Sequence, residues 1–577
     1  MALEVSTMRI MSSPSKNAIS YYVIKSIRVD GKNTSKIVEK LGTISDIKKR
    51  AGNQDPLQWA KQYAKELTKA EKITNQEIIV KYSPNKIIDK NDVRHFNGGY
   101  LFIQKIYYEL GLHNICKEIT SRHNFDFDLN SVLSRLVYGR IIYPSSKLAT
   151  YKQVADFLEK PKFDLHHTYR ALDILAEESD FIQAQLYKNS LKLTKRHTGI
   201  LYYDCTNYFF EIEQASGIKQ YGHSKENRPN PIVQMGLFMD GEGIPLAFDI
   251  HPGNTNEQTT LKPLEKKILA DFGLSRFVVC TDAGLSCEEN RRFNNFKNRA
   301  FITTQSIKKL KTHLKQWSLE NKGWKLPGSN KEYDISKLDP QTDNNLVFYR
   351  ERWIKENNFE QRLIVTFSLK YRNYLRTIRG NQIKRAEKAI KSNSAKLNKS
   401  NQNDFKRLIN QTHTTKDGEM ADSTILSIDQ QIISNEEIYD GFYAVCTNLE
   451  DGAEKIIKVN KRRWEIEECF RILKSEFKAR PVYLANDNRI HAHFDICFIS
   501  LIIFRLLEKR LNSDFTYSEI IDGIRKMSFL KIKGEGYQPI YTRTDFTDRL
   551  HDVFGFRTDY QITSLKNMNS LFSFTKK

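Results

Sequence analysis

Cysteine is scarce and scattered. Seven residues, Cys116, Cys205, Cys280, Cys287, Cys446, Cys469 and Cys497, stand singly along 577 positions. No two form the Cys-x-x-Cys pair that a zinc site or a dithiol redox centre needs, so they read as reduced, mostly buried thiols. Long hydrophobic runs are missing too. The longest, Ile496 to Leu507, is interrupted by Ser500 and Arg505 and is too short to span a bilayer. The opening segment MALEVSTMRIMSSPSKN has no signal-peptide core. These absences predict a cytoplasmic chain without a membrane partner. Neither heptads nor internal repeats occur, which argues against a structural scaffold. Acidic residues are in deficit: 69 Asp plus Glu face 91 Lys plus Arg, a net charge of +22. A polyanion is the natural partner for such a surface.

With 40% hydrophobic residues, the chain can bury several cores, and its length predicts about three or four domains. Tyr21 to Leu41 alternates like a hairpin with Asp30-Gly31 as its turn, and a Lys-rich helical stretch follows. From about Phe96 to Leu193 apolar residues recur at helical spacing, with breaks at Pro144 and Pro161. Here Asp164 is placed to cap a helix that turns His167, Tyr169 and Arg170 outward. The segment reads either as a helix-turn-helix set, with Tyr169 and Arg170 touching DNA, or as an ordinary helical bundle.

The periodicity then changes. TGILYYDCTNYFF, PIVQMGLFMD, IPLAFDI, RFVVCTDAG and AFITTQ are short β-branched or aromatic runs bounded by turn residues, consistent with a mostly buried sheet. Asp240-Gly241-Glu242-Gly243 separates two of them as a turn. Asp204 closes the first run and Asp282 the fourth, so neighbouring strands can bring these carboxylates together. After Gln305 a segment of roughly 130 residues carries its own strands and a basic stretch. Lys370 to Asn410 holds twelve Lys or Arg against two acidic residues. That stretch reads as a solvated helix or as an arm that tracks phosphates.

A third carboxylate, Glu467, lies in the helical stretch RRWEIEECFRILKSEF. At 100° per residue, Asn460, Arg463, Glu467 and Lys474 fall within an arc of roughly 60°. Ile466, Phe470, Leu473 and Phe477 form an apolar stripe beside it. Alone, each acid would read as a turn former or surface decoration. Together, three carboxylates in a basic chain fit a site in which two Mg²⁺ ions about 4 Å apart are held by hard oxygen ligands for phosphoryl transfer. Other features carry less. His491 and His493 open an apolar helix and read as packing residues, and Trp464 can stack on a base or pack.

At this point the sequence resembles the DDE transposases of bacterial insertion sequences, the group with the signature Y-x2-R-x3-E-x6-K. This chain reads N-x2-R-x3-E-x6-K from Asn460 through Arg463, Glu467 and Lys474. The first-carboxylate motif Asp-x-Thr appears as Asp204-Cys205-Thr206, and the second in VVCTDAGLS around Asp282. Similarity extends to GIPLAFDIHPGNTNEQTTL, DGFYAVCTNL and Arg480-Pro481.

The resemblance implies an α/β, RNase H-like catalytic core, a mixed sheet with flanking helices, interrupted by a mainly β insertion. An N-terminal helical DNA-binding region and a helical C-terminal region would flank it. The implied organisation is a hairpin and helical module at 1–90, a helical domain at 91–195 and the first part of the core at 196–305. An insertion with the basic arm at 306–438, the second part of the core at 439–510 and a C-terminal region at 511–577 complete it. Asp204, Asp282 and Glu467 would be catalytic residues and ligands of two Mg²⁺ ions, with Mn²⁺ able to substitute. Arg463, Lys474 and Asn460 would contact DNA. Asn460 departs from the family tyrosine, since an amide can hydrogen-bond but cannot stack.

The implied activity is hydrolysis of the phosphodiester at an element's terminus, releasing a 3′-OH that attacks target DNA. Double-stranded DNA would be the partner, as terminal inverted repeats and as target, bound by a homodimer in a nucleoid-associated complex. A stand-alone nuclease with the same site and a DNA-binding repressor from a decayed element are the alternatives.

Overall fold

The computed structural model describes residues 7–15, 18–29, 32–74, 78, 80, 82–392, 404–414 and 423–577. They form two compact units, Met1–Asp92 and Val93–Lys577. In the first, strands β1 (Met8–Pro14), β2 (Ile19–Val29) and β3 (Lys32–Gly42) make an antiparallel meander. The β2–β3 ladder runs to Val29↔Lys32, while the expected turn Asp30-Gly31 lies outside the described residues. The third strand, β1, had no counterpart in the sequence reading. Helices Ile44–Ala51 and Pro56–Thr74 follow, the first with a capping box in which the Thr43 N–H donates to Asp46 at 2.9 Å. Val23, Leu41, Ile47, Ala60 and Ala64 form this unit's own core.

The second unit opens with strand β4 (His95–Asn97) and six α-helices between Tyr100 and Leu193. Their partner is the helix Asp487–Arg510, which packs on Tyr100–Glu109, Leu129–Ile142 and Leu165–Glu177. It is longer than the apolar run alone suggests and passes by length and composition as a membrane span. Yet 94% of its apolar window is buried in the fold, which makes it a core helix.

A ten-stranded sheet carries the rest. β6 (Ile232–Asp240) runs antiparallel to both its neighbours, β5 (Ile200–Phe209) and β7 (Pro245–Pro252), and β8 (Phe277–Thr281) and β9 (Arg299–Gln305) are laid parallel to β5. The order β7-β6-β5-β8-β9 is that of an RNase H-like sheet. β6 is buried along its whole length and β5 along most of it, which is why both read as near-continuous apolar runs. The β6–β7 turn is the expected one, closed by Asp240 N–H to the Ile244 carbonyl at 3.0 Å with Gly243 at φ 78°.

The segment after β9, expected as an insertion with strands of its own, extends the sheet. β10 (Trp324–Lys325), β11 (Glu332–Tyr333), β12 (Phe348–Glu356) and β13 (Phe359–Phe367) join the same sheet, reaching β9 through β16 (Phe442–Thr447). β13 is buried along all but one position, so it needs neighbours on both sides. Between β13 and β16 stand the basic helix Leu369–Lys391, the hairpin of β14 (Ile409–Thr414) and β15 (Ser423–Ile428), and a short helix, Gln430–Glu437. Arg379 of the basic helix is buried against Asp440, with Glu437 at 3.3 Å. C-terminally, β17 (Ser528–Ile532), β18 (Gly536–Pro539) and β19 (Thr563–Ser564) form a small sheet with β4.

Candidate active site

Asp204 sits in the middle of β5, not at its end as the sequence suggested, because Thr206 to Phe209 continue the ladder with β6. The parallel register Ile200↔Val278 and Tyr202↔Cys280 has an offset of 78 (278 − 200). Carried two residues further, it places Asp282 (204 + 78), just past the end of β8, opposite Asp204. Side chains alternate along a strand, so Asp204 shares its face with Tyr202 and Tyr208. That face is covered by the elements around Glu467. The Tyr202 hydroxyl donates to the Val459 carbonyl at 2.8 Å, and Cys280 lies 3.7 Å from the Asn460 amide oxygen.

The stretch expected as one helix is three pieces. Ala453–Lys461 ends at a break, Trp464–Arg471 carries Glu467, and Ile472–Glu476 widens into a π turn closed by Phe477 N–H to the Ile472 carbonyl at 3.0 Å. The apolar stripe is as expected. Ile466, Phe470, Leu473 and Phe477 are all buried, each worth about 1.5–3 kcal/mol. The shared face, however, holds only in part. Arg463 and Glu467 meet at 3.5 Å, and Lys474 follows on the π turn. Asn460 belongs to the preceding helix and is 5% exposed. Its amide donates to the Tyr443 hydroxyl at 2.8 Å, so in this structure it is tied to the strand beneath the site.

Arg463 is the electrostatic centre. Burial works against its charge, but Tyr443, Asp204, Glu467 and Asp282 together outweigh burial and hold its pKa above the ordinary guanidinium value. Of the three expected carboxylates, Glu467 touches this cation and Asp204 and Asp282 act on it from further away. Asp204 is pushed up to about 6, first by burial and also by Asp282, against the opposing pull of Lys225. Its Oδ1 accepts the Cys205 N–H at 2.8 Å, and Asp282 Oδ1 accepts the Leu285 N–H at 3.0 Å. Glu467 has a 59% exposed side chain.

Two further cations border Asp204. Lys474 is lowered to about 8 by burial and by Lys225, with Asp204 opposing; its ammonium lies 3.5 Å from Glu226. Lys225 contacts the Cys205 carbonyl and lies 3.1 Å from Glu257. For Lys225, Asp204 and Glu257 overcome burial and raise the pKa. The sequence reading missed Lys225, Glu226 and Tyr443. The signal for the first two was the charged run His-Ser-Lys-Glu-Asn-Arg, 223–228, set between two apolar strands.

The donor set suits a hard divalent cation. Two half-buried acids that repel each other, with a third within reach, are carboxylate oxygens of the kind Mg²⁺ and Mn²⁺ prefer. The three are not drawn tight, however. Among the described residues, the acid and histidine trios with ligand atoms within 4.8 Å of one another lie elsewhere, at Asp164, His166 and His167 and at Asp548, His551 and Asp559. The first belongs to a helix cap, with the Asp164 N–H donating to His167 Nδ1 at 3.0 Å. The second is occupied by Arg543 and Arg557.

Tyr169 and Arg170 are engaged within the helical region. Arg170 pairs with Asp126 at 3.1 Å and lies 5.3 Å from the Phe127 ring centroid, and Arg489 lies 5.6 Å from that of Tyr169. Thr168, Ala171, Leu172 and Leu175 bury the helix's other face. The Arg170 side chain nevertheless stays 48% exposed. His493 packs as expected, with its Nε2 at 3.1 Å from the Ala479 carbonyl. Trp464 is 56% exposed, so it is not a packing residue.

Comparison with known proteins reaches the same elements. Residues 365–503 match a family described as the transposase DDE domain. The matched span runs from the end of β13 into the helix Asp487–Arg510 and includes Arg463, Glu467 and Lys474, while Asp204 and Asp282 precede it. No curated protein matches the chain. Among solved structures, the cryo-EM structure of a piggyBac transposase synaptic complex with hairpin DNA is 7% identical. It covers 74% of this chain and 78% of that one, with a TM-score of 0.36.

Proposed function

We propose that this chain is a DDE transposase of an insertion sequence, of the Y-R-E-K group, that cleaves the ends of its element and joins them to target DNA. The observation that carries the reading is the β5–β8 register that sets Asp282 opposite Asp204, under a helix within the transposase DDE match on which Glu467 pairs with Arg463 at 3.5 Å. Asp204 and Asp282 would hold one side of a divalent-ion pair, and Glu467 would complete it by exchanging Arg463 for the ions. When bound, Mg²⁺ or Mn²⁺ would supply the Lewis acidity for in-line displacement at phosphorus. Arg463, released from Glu467, is placed to neutralise a phosphate oxygen, and Lys474, which also senses Asp204, can do the same. Both strands of chemistry, hydrolysis at the terminus and attack by the 3′-OH on target, use one such geometry. A homodimer on paired terminal repeats follows from the need to hold both ends.

Single Asp204→Ala, Asp282→Ala and Glu467→Ala proteins should bind a labelled terminal-repeat duplex as wild type does and lose Mg²⁺-dependent nicking and joining. Wild-type nicking by any one of them would sink the assignment. Nicking without joined products would instead leave a nuclease, and binding without any product a repressor.

A further inference from the structure

The loop between β5 and β6 carries a second charged cluster beside the carboxylates. Lys225 faces Glu257 and Asp204. Its neighbour Glu226 faces three cations: Lys474 at 3.5 Å, Arg228 at 3.8 Å, and Arg480 in direct contact. One carboxylate against three cations leaves two positive charges in excess. The group rests on the aromatic end of β5, with Arg228 4.2 Å and Arg480 5.8 Å from the Phe209 ring centroid and Lys474 5.7 Å from that of Tyr208. The side chains of Lys474 and Arg480 are 15% and 24% exposed. Surplus positive charge held in so confined a place is built for an anion stronger than a carboxylate, and arginine forks match phosphate oxygens in pairs.

We propose that Lys474, Arg480 and Arg228 form a binding site for a backbone phosphate of the DNA, next to Asp204, and that Glu226 is its resident anion, displaced when the phosphate arrives. The inference rests on DNA being the substrate. Glu226 gathers three flexible cations into one place before the ligand comes, which lowers the ordering cost of binding, and it opposes binding until a polyanion competes. Because Lys225 and Glu226 are adjacent, displacing Glu226 moves the same loop that places Lys225 against Asp204.

The test measures binding of the full chain to an unrelated 20-base-pair duplex by fluorescence anisotropy in EDTA, so that no cleavage contributes. Glu226→Gln should tighten binding roughly three- to tenfold. Arg228→Gln and Arg480→Gln should each weaken it and lower the slope of log affinity on log salt by about 0.9, the counter-ion release of one phosphate contact. In the Arg228→Gln/Arg480→Gln/Lys474→Gln background, Glu226→Gln should no longer tighten binding. A gain that persists there reports general charge only and overturns the proposal, as does unchanged or weaker binding by Glu226→Gln. If that variant does not fold, the half-exposed Arg228→Gln decides alone, and an unchanged salt slope rejects the site. Absence of any DNA binding by the wild-type chain would reject the transposase reading itself, a result distinct from these.

Discussion

Asn460 is held by a partner that its place in the motif does not announce. Its position in the motif suggests a DNA contact, yet it lies beneath the surface with its amide on the Tyr443 hydroxyl, which also meets Thr304 at 2.6 Å. Asn460→Ala should therefore cost about 0.5–1.5 kcal/mol of stability by removing one part-buried hydrogen bond. Asn460→Tyr, which restores the family residue, should destabilise by a similar amount because a ring must enter a filled space. Urea unfolding of both variants checks this; a stabilised Asn460→Tyr would mean that the pocket is roomier than its burial implies.

A second residue sets a pH dependence. Asp495 is buried, accepts from Ser179 at 2.6 Å, and is pushed up to about 8 by that burial. Between pH 4 and 8 the folded chain thus keeps a proton that the unfolded chain has released. Stability falls as pH rises through this window, by at most about 1.4 kcal/mol per pH unit. Glu265 (about 7) and Asp204 (about 6) act in the same direction. Asp495→Asn should flatten the curve, gaining on wild type at pH 8.5 and little at pH 5. Equal losses at both values would show that the carboxyl is not protonated in the fold.

At the scale of elements, the π turn Ile472–Glu476 decides where Lys474 points. It is held from outside its own helix. Arg140 is buried and donates to the carbonyls of Phe477 at 3.0 Å, Lys478 at 3.4 Å and Ser145 at 3.1 Å. Carbonyls at a helix end have no partner within the helix. Arg140→Met should cost about 2–4 kcal/mol, since several buried acceptors lose one donor together. It should also weaken DNA binding through Lys474; unfolding curves and anisotropy on the same preparation would separate a stability effect from a binding effect.

Periodicity was enough to place strands, the bundle and the apolar stripe, because alternation and the helical repeat are local. The break at Arg462–Arg463 and the π turn were illegible, since both depend on what packs across from them. The register between β5 and β8 was foreseen only as adjacency. The role of Glu226 needed Lys474 and Arg480, some 250 positions away (474 − 226 = 248), which no local pattern connects.

For the whole molecule, the carboxylates imply a linkage between ions and folding. Millimolar Mg²⁺ or Mn²⁺ should raise the unfolding temperature, since a ligand present at about 100 times its Kd adds roughly 2.7 kcal/mol. That increment should shrink in Asp204→Ala and Asp282→Ala, as read by differential scanning fluorimetry. An undiminished shift would place the ions elsewhere.

The helix Asp487–Arg510 has a consequence for synthesis. The bundle that needs it as a partner ends at Leu193, and 294 residues (487 − 193) separate the two in the chain. At about 5–20 residues per second, translation takes roughly 15–60 s to deliver that helix. During this interval the apolar faces of the early helices stand on the ribosome without their cover, as does β4, which waits still longer for β17. Assembly of this molecule is consequently set by when the segment from Asp487 onward emerges, and a nascent chain halted before Asp487 should be retained by chaperones instead of folding.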